Sequence, residues 1–98
     1  MGMVVTTVDG LEPTETRLTL CAAIALGDVR LSSEDEWVLV YRESGRQYVR
    51  TAAVRELIAV GWVASWTGTG LRAVLTELGQ AMLDEHGAKV LKRYRETS

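Results

Sequence analysis

Five arginines between residues 42 and 72 are the side chains of this 98-residue sequence that could do the most specific chemistry. Only two acidic residues accompany them, so this segment has a net charge of +3. A planar guanidinium can bind phosphate oxygens and the acceptor edge of guanine through paired hydrogen bonds. The segment is therefore a candidate nucleic-acid surface. A set of solvated surface arginines is the alternative interpretation.

The charge of the remaining chain restricts this interpretation. Residues 1–41 have a net charge of −5 and residues 73–98 are neutral, which leaves the whole chain at −2. That total argues against a protein that coats nucleic acid through bulk charge. Contact with nucleic acid would have to come from the basic third of the chain.

Few side chains support catalysis or metal binding. Cys21 lies in an apolar helical stretch, and His86 is the only histidine, so no zinc-binding set can be assembled. The acids at 34–36 have no evident partner base or nucleophile and are interpreted as an acidic turn. The segment "TGTGLR" lacks the lysine and the spacing of a phosphate-binding loop. We therefore predict no enzyme activity, no cofactor and no metal.

Composition predicts one globular domain. Apolar residues make up 47% of the chain, which is enough for a core. The longest apolar run is too short to cross a bilayer, and no signal-peptide pattern is present. We expect a soluble cytoplasmic protein without membrane contact.

The first half of the chain predicts a helix followed by a hairpin. Apolar residues recur at helical spacing from about 14 to 26, and Gly27 is a natural stop. Alternating and β-branched residues predict strands near 29–32 and 37–41. The alternative is a second helix that begins at residue 34.

The second half predicts a helix, a tight hairpin and a last helix. The first of these helices should run from Tyr48 or Thr51 to Val60, after a loop around Gly45. We predict that "WVASW" and "LRAVLT" form two strands on either side of the turn "TGTG". The last helix should begin near Thr76. The fold class is thus α+β, in the order α-β-β-α-β-β-α, with a tail at 1–13, a domain at 14–88 and a C-terminal helical extension at 89–98.

Three consecutive segments of this half carry a family resemblance. "VRELIAVGWV" (54–63), "ASWTGTGLRAVL" (64–75) and "LTELGQAML" (75–83) resemble the second half of winged helix-turn-helix DNA-binding domains of the MarR, PadR and ArsR type. Small actinobacterial phage or plasmid proteins have a similar "VRELxxxGWV" core. The resemblance covers about a third of the chain closely. It departs from the family pattern at "WVLVYRESGRQ", which occupies the position of the second helix.

The resemblance implies that helix 51–60 reads the major groove, with Arg55 as the best candidate for a base-edge contact. The loop before the helix would neutralise phosphates, and the hairpin would lie along the backbone or the minor groove. The implied DNA-binding residues are Arg42, Arg46, Tyr48, Arg50, Thr51, Ala52, Arg55, Thr67, Thr69 and Arg72.

The C-terminal segment has an apolar stripe formed by Val90, Leu91 and Tyr94. We predict a homodimer interface there. Folding back on the first helix and a basic tail on DNA are the alternatives. Trp62 should be a core residue. Trp37 and Trp66 are also interpreted as core, with a partner surface as the alternative.

The predicted function is sequence-specific binding of double-stranded DNA by a small transcriptional regulator of bacterial or mobile-element origin. The alternative is a winged-helix protein–protein interaction module that does not bind DNA and uses its acidic first third for docking. Overall acidity and the missing second helix favour the alternative. The arginine-rich third and the hairpin favour DNA binding.

Overall fold

The computed structural model describes residues 11–66 and 71–97. Its elements are α1 (Glu15–Ala25), β1 (Val29–Leu31), β2 (Trp37–Val40), β3 (Gln47–Val49), α2 (Thr51–Ala59), β4 (Val63–Trp66), β5 (Arg72–Leu75), α3 (Glu77–His86) and α4 (Ala88–Thr97). The predicted α+β class is confirmed. Most of the predicted tail, 1–10, lies outside the described residues. The predicted element order is wrong in one place, because β3 was not expected; α4 corresponds to the predicted C-terminal helical extension.

The five strands form one antiparallel sheet in the order β3-β2-β1-β5-β4. The predicted hairpin of β1 and β2 is confirmed against the helical alternative. β3 extends this hairpin at its outer edge, and β5 pairs with β1 on the other side. The contact between β1 and β5 places Arg30 directly opposite Arg72.

Alternation along the strands separates two faces of the sheet. Val29, Trp37, Leu39 and Ala73 are buried and pack with α1 in a single core. The residues that alternate with these along each strand have their side chains on the opposite face of the sheet. Trp66 is on that second face and is 41% exposed, so its interpretation as a core residue is wrong. Trp37 is a core residue, as predicted.

Helix α1 is buried along most of its length because its middle consists of small residues. Cys21, Ala22 and Ala23 are completely buried, and α3, α4 and β5 all pack against this helix. Thr14 begins the helix by accepting a hydrogen bond from the backbone N–H of Arg17 at 3.3 Å. Burial raises the pKa of the Cys21 thiol to about 11, which makes it a poor nucleophile at neutral pH.

The C-terminal stripe covers the core of its own chain. Val90 and Tyr94 are buried against the rest of the chain, Leu91 is half-buried, and α4 packs on α1. The Tyr94 hydroxyl donates to the buried Asp28 carboxylate at 2.8 Å. The structure therefore does not support a dimer interface through Val90 and Tyr94, whose side chains fold back on the first helix as in the alternative.

Two glycines and a threonine hold α3 against the chain that enters β4. Gly61 has a φ of +81° and follows the end of α2, close to the predicted end at Val60. A Cβ at Gly79 would lie 2.0 Å from the Trp62 carbonyl oxygen, so only glycine permits this approach. Thr76 caps α3 by accepting the N–H of Gly79 at 3.2 Å. The indole of Trp62 is completely buried at this junction, as predicted.

Candidate nucleic-acid interface

The exposed face of α2 is short and has small side chains. Val54 and Leu57 are buried against the sheet, whereas Ala52, Arg55 and Ala59 face solvent. Arg55 has no hydrogen bond or ion pair within the described part of the chain. Two alanines beside a free guanidinium make a surface that can approach another molecule closely.

The exposed face of α2 also carries an acidic residue, Glu56. Its carboxylate accepts hydrogen bonds from the Arg17 guanidinium, with the Nε–Oε1 pair at 3.2 Å. This exposed ion pair joins α1 to α2 and offsets the negative charge beside Arg55.

Residues at the start of α2 differ from the prediction. Tyr48 lies in β3 and not in the helix, and the Arg50 guanidinium sits over its ring at 5.4 Å. Arg50 occupies the N-cap position, and Thr51 is the first residue of the helix. The Thr51 hydroxyl accepts the Trp37 N–H at 3.0 Å and donates to Glu36 at 2.7 Å. These bonds hold the hydroxyl against β2, so it has little hydrogen-bonding capacity left for DNA.

The predicted phosphate-binding arginines separate into two groups. Arg46 and Arg50 lie on either side of β3 and are exposed. The guanidinium of Arg42 binds Asp28 through Nε at 2.8 Å and also donates to the carbonyl of Leu26. Asp28 raises the pKa of Arg42 through this hydrogen bond and its charge. Arg42 therefore has a structural role, although its side chain remains more than half exposed.

Arg72 begins β5 and is directly opposite Trp66 in the hairpin. Its guanidinium carbon lies 4.9 Å from the centre of the Trp66 ring, which orients the side chain through a cation–π contact. Thr67 and Thr69, which were also predicted to contact DNA, lie outside the described residues.

Sequence reasoning missed one arginine. Arg30 belongs to the acidic first third of the chain, but the pairing of β1 with β5 brings it beside Arg72. Its position between Val29 and Leu31 in an alternating strand was the available signal that its side chain is on the outer face. The identity of the neighbouring strand was not available from local sequence.

Comparison with known proteins finds no significant match for this chain among protein-family models, curated proteins or solved structures. Within residues 11–66 and 71–97, no helix is long and apolar enough to span a membrane. The same residues contain no group of three or more side chains that could hold a metal ion.

Proposed function

We propose that the protein binds double-stranded DNA as a small transcriptional regulator, with α2 as the reading helix and the β4–β5 hairpin as a wing. The exposed face of α2 is the observation that carries this proposal. The exposed face of this helix has small side chains and one arginine that makes no hydrogen bond or ion pair within the described residues. Such a face suits insertion into a major groove. Arg55 would bind a guanine edge in that groove.

Connectivity and charge also support the proposal. Helix α2 leads through Gly61 directly into β4, and the hairpin returns as β5 to pair with β1. The basic segment 42–72 includes the β2–β3 turn, β3, α2 and the hairpin as far as the first residue of β5. Arg46, Arg50 and Arg72 would then neutralise backbone phosphates on either side of the groove.

The test is fluorescence anisotropy with random duplex DNA at two salt concentrations. Affinity should fall steeply with salt, by roughly 0.9 logarithmic units per tenfold salt for each phosphate contact. Arg72→Ala should reduce that slope by about one. Arg95→Ala is the matched control, because it removes an exposed arginine from α4. Absence of binding at low salt would refute the proposal.

Arg55→Ala tests base reading separately from phosphate binding. On duplexes selected by the wild-type protein, this variant should lose about 1–3 kcal/mol and become less selective at one position. Equal losses on selected and random duplexes would show that Arg55 contacts the backbone instead.

A protein-interaction module is the second candidate. It is favoured by the exposure of Val49 and Trp66, which lie on the face of the sheet opposite the core. Isolated apolar residues are common on protein surfaces, so this observation carries less weight than the face of α2. If the protein does not bind DNA at low salt, the protein-interaction module remains as the candidate function.

A further inference from the structure

Three arginines line one cleft at the end of the sheet. Arg30 extends from β1, Arg42 follows β2, and Arg72 begins β5. The cleft has a volume of about 430 Å³, and the turn at Gly27 and Asp28 forms part of its wall. We call it the arginine cleft. The β1–β5 pairing brings Arg30 and Arg72 together, and the β1–β2 hairpin places Arg42 beside them.

The cleft has an excess of positive charge. Arg30 and Arg72 are directly opposite each other on antiparallel strands, a position in which like charges destabilise a sheet. Neither has a carboxylate within ion-pair distance in the part of the chain that the structure describes. Among the lining residues that the structure describes, Asp28 supplies the only carboxylate, and it is already bound to Arg42 and to the Tyr94 hydroxyl. These described lining residues therefore have three positive charges and one negative charge.

Two of the guanidinium groups are held in place. The Arg72 group lies over the Trp66 ring, and its Nη1 atom is close to Gly27, at 3.5 Å from the position that a Cβ would take, which is an ordinary van der Waals distance. The Arg42 group is fixed by Asp28 and by the carbonyl of Leu26. A guanidinium has five donors, so Arg42 retains N–H groups that these two bonds do not use. An arriving anion would meet donors that are already ordered, which lowers the entropic cost of binding.

We propose that the arginine cleft is a binding site for a phosphate group. The net charge of the described lining residues is +2, which matches a phosphate monoester of charge about −1.5 to −2 at neutral pH. Arginine forks on several sides suit the phosphate oxygens, because each can form two parallel hydrogen bonds. A bound phosphate also neutralises the repulsion between Arg30 and Arg72. The phosphate belongs to a polynucleotide or to a small phosphorylated molecule.

The first experiment titrates the protein with inorganic phosphate and follows the arginine Nε–H and backbone signals by NMR. Sodium chloride at matched ionic strength controls for screening. Saturable shifts should occur at Arg30, Arg42 and Arg72. Arg30→Ala and Arg72→Ala should each weaken binding about tenfold, because each removes charge-assisted hydrogen bonds. Arg95→Ala should bind phosphate as the wild type does.

Two results would overturn the proposal. One is the absence of saturable shifts in the cleft at phosphate concentrations far above a millimolar. The other is equal phosphate affinity in Arg30→Ala and in the Arg95→Ala control. Arg42 is not used as a test variant, because its loss would also leave Asp28 without its cation.

A competition experiment identifies the source of the phosphate. Displacement of inorganic phosphate by duplex DNA assigns the site to the polynucleotide backbone, and retention of phosphate in the presence of bound DNA assigns it to a free phosphorylated molecule. The titration with phosphate alone does not depend on α2. A protein that fails to bind duplex DNA but binds phosphate in the cleft would refute the proposed function and support this site.

Discussion

Replacing Gly79 with alanine tests how closely α3 approaches β4. The new Cβ would lie 2.0 Å from the Trp62 carbonyl oxygen, 2.9 Å from its carbonyl carbon and 3.2 Å from Leu75 Cδ2. Carbon and oxygen that are not bonded to each other are normally separated by roughly 3.3–3.6 Å even in close contacts. The first distance is therefore too short by more than about 1 Å. The two nearest atoms belong to the Trp62 backbone, and the new Cβ is fixed to the backbone of α3, so no side-chain rotation can relieve the overlap.

Two effects of opposite sign determine the result. Alanine in a helix interior is favoured over glycine by about 1 kcal/mol. Overpacking of a tight contact costs typically about 1–3 kcal/mol and occasionally more. Here α3 would have to move away from Trp62 and loosen Leu83, both of which are almost completely buried. We expect the upper end of that range, and hence a net loss of about 2 kcal/mol in the free energy of unfolding.

Urea unfolding followed by circular dichroism measures this loss. For a domain of this size the expected loss corresponds to a fall in Tm of about 8–16 °C. Gly61→Ala is the matched control, since nothing lies within 4 Å of its added Cβ and only its φ of +81° opposes alanine. That control should lose about 1 kcal/mol, mostly recovered in Gly61→Asn. A Gly79→Ala variant as stable as the wild type would refute the close approach of α3.

Three further predictions concern other contacts. Thr51→Val should lose about 1–3 kcal/mol in urea unfolding, because the Trp37 N–H loses its acceptor, whereas Thr51→Ser should stay close to the wild type. Val90→Asp should lower stability by more than about 2 kcal/mol at all protein concentrations; dissociation of a folded dimer would contradict the contact of α4 with α1. Burial raises the pKa of Cys21, and burial with a hydrogen bond to Asp28 raises that of Tyr94. The folded chain therefore holds protons that the unfolded chain releases, so stability should fall as pH rises above about 8.5. Unfolding at a series of alkaline pH values checks this fall, and constant stability up to pH of about 11 would contradict it.

Local signals were sufficient to predict most elements. Thr14 and Thr76 begin helices as caps, and Gly27 and Gly61 take positive φ values where helices end. Each of these signals involves only a few neighbouring residues, so the sequence alone contains it. The alternating residues of β1 and β2 likewise predicted a hairpin, because strand periodicity is also local.

Features that depend on distant pairing were not predicted. β3 has three residues, all exposed, and forms because it pairs with β2. The stripe on α4 was assigned to a dimer because its target, α1 with Asp28, lies more than sixty residues away in the sequence. The arginine cleft was missed for the same reason. Two of its arginines were predicted as independent phosphate contacts, and Arg30 was counted with the acidic third.

The start of α2 is attached to a strand, where a helix-turn-helix protein has a preceding helix. Arg50 N–H donates to the Trp37 carbonyl at 2.7 Å, and Trp37 N–H returns a bond to Thr51 Oγ1 at 3.0 Å. This reciprocal pair fixes the start of α2 to β2. In helix-turn-helix proteins the first helix of the pair crosses the DNA backbone while the second enters the groove. If α2 reads DNA as proposed, the β2–β3 turn would contact the DNA backbone, because Arg46 is exposed there. The sheet can therefore supply both roles of the missing helix, the support of α2 and a cation for the phosphates, without a helix in that position.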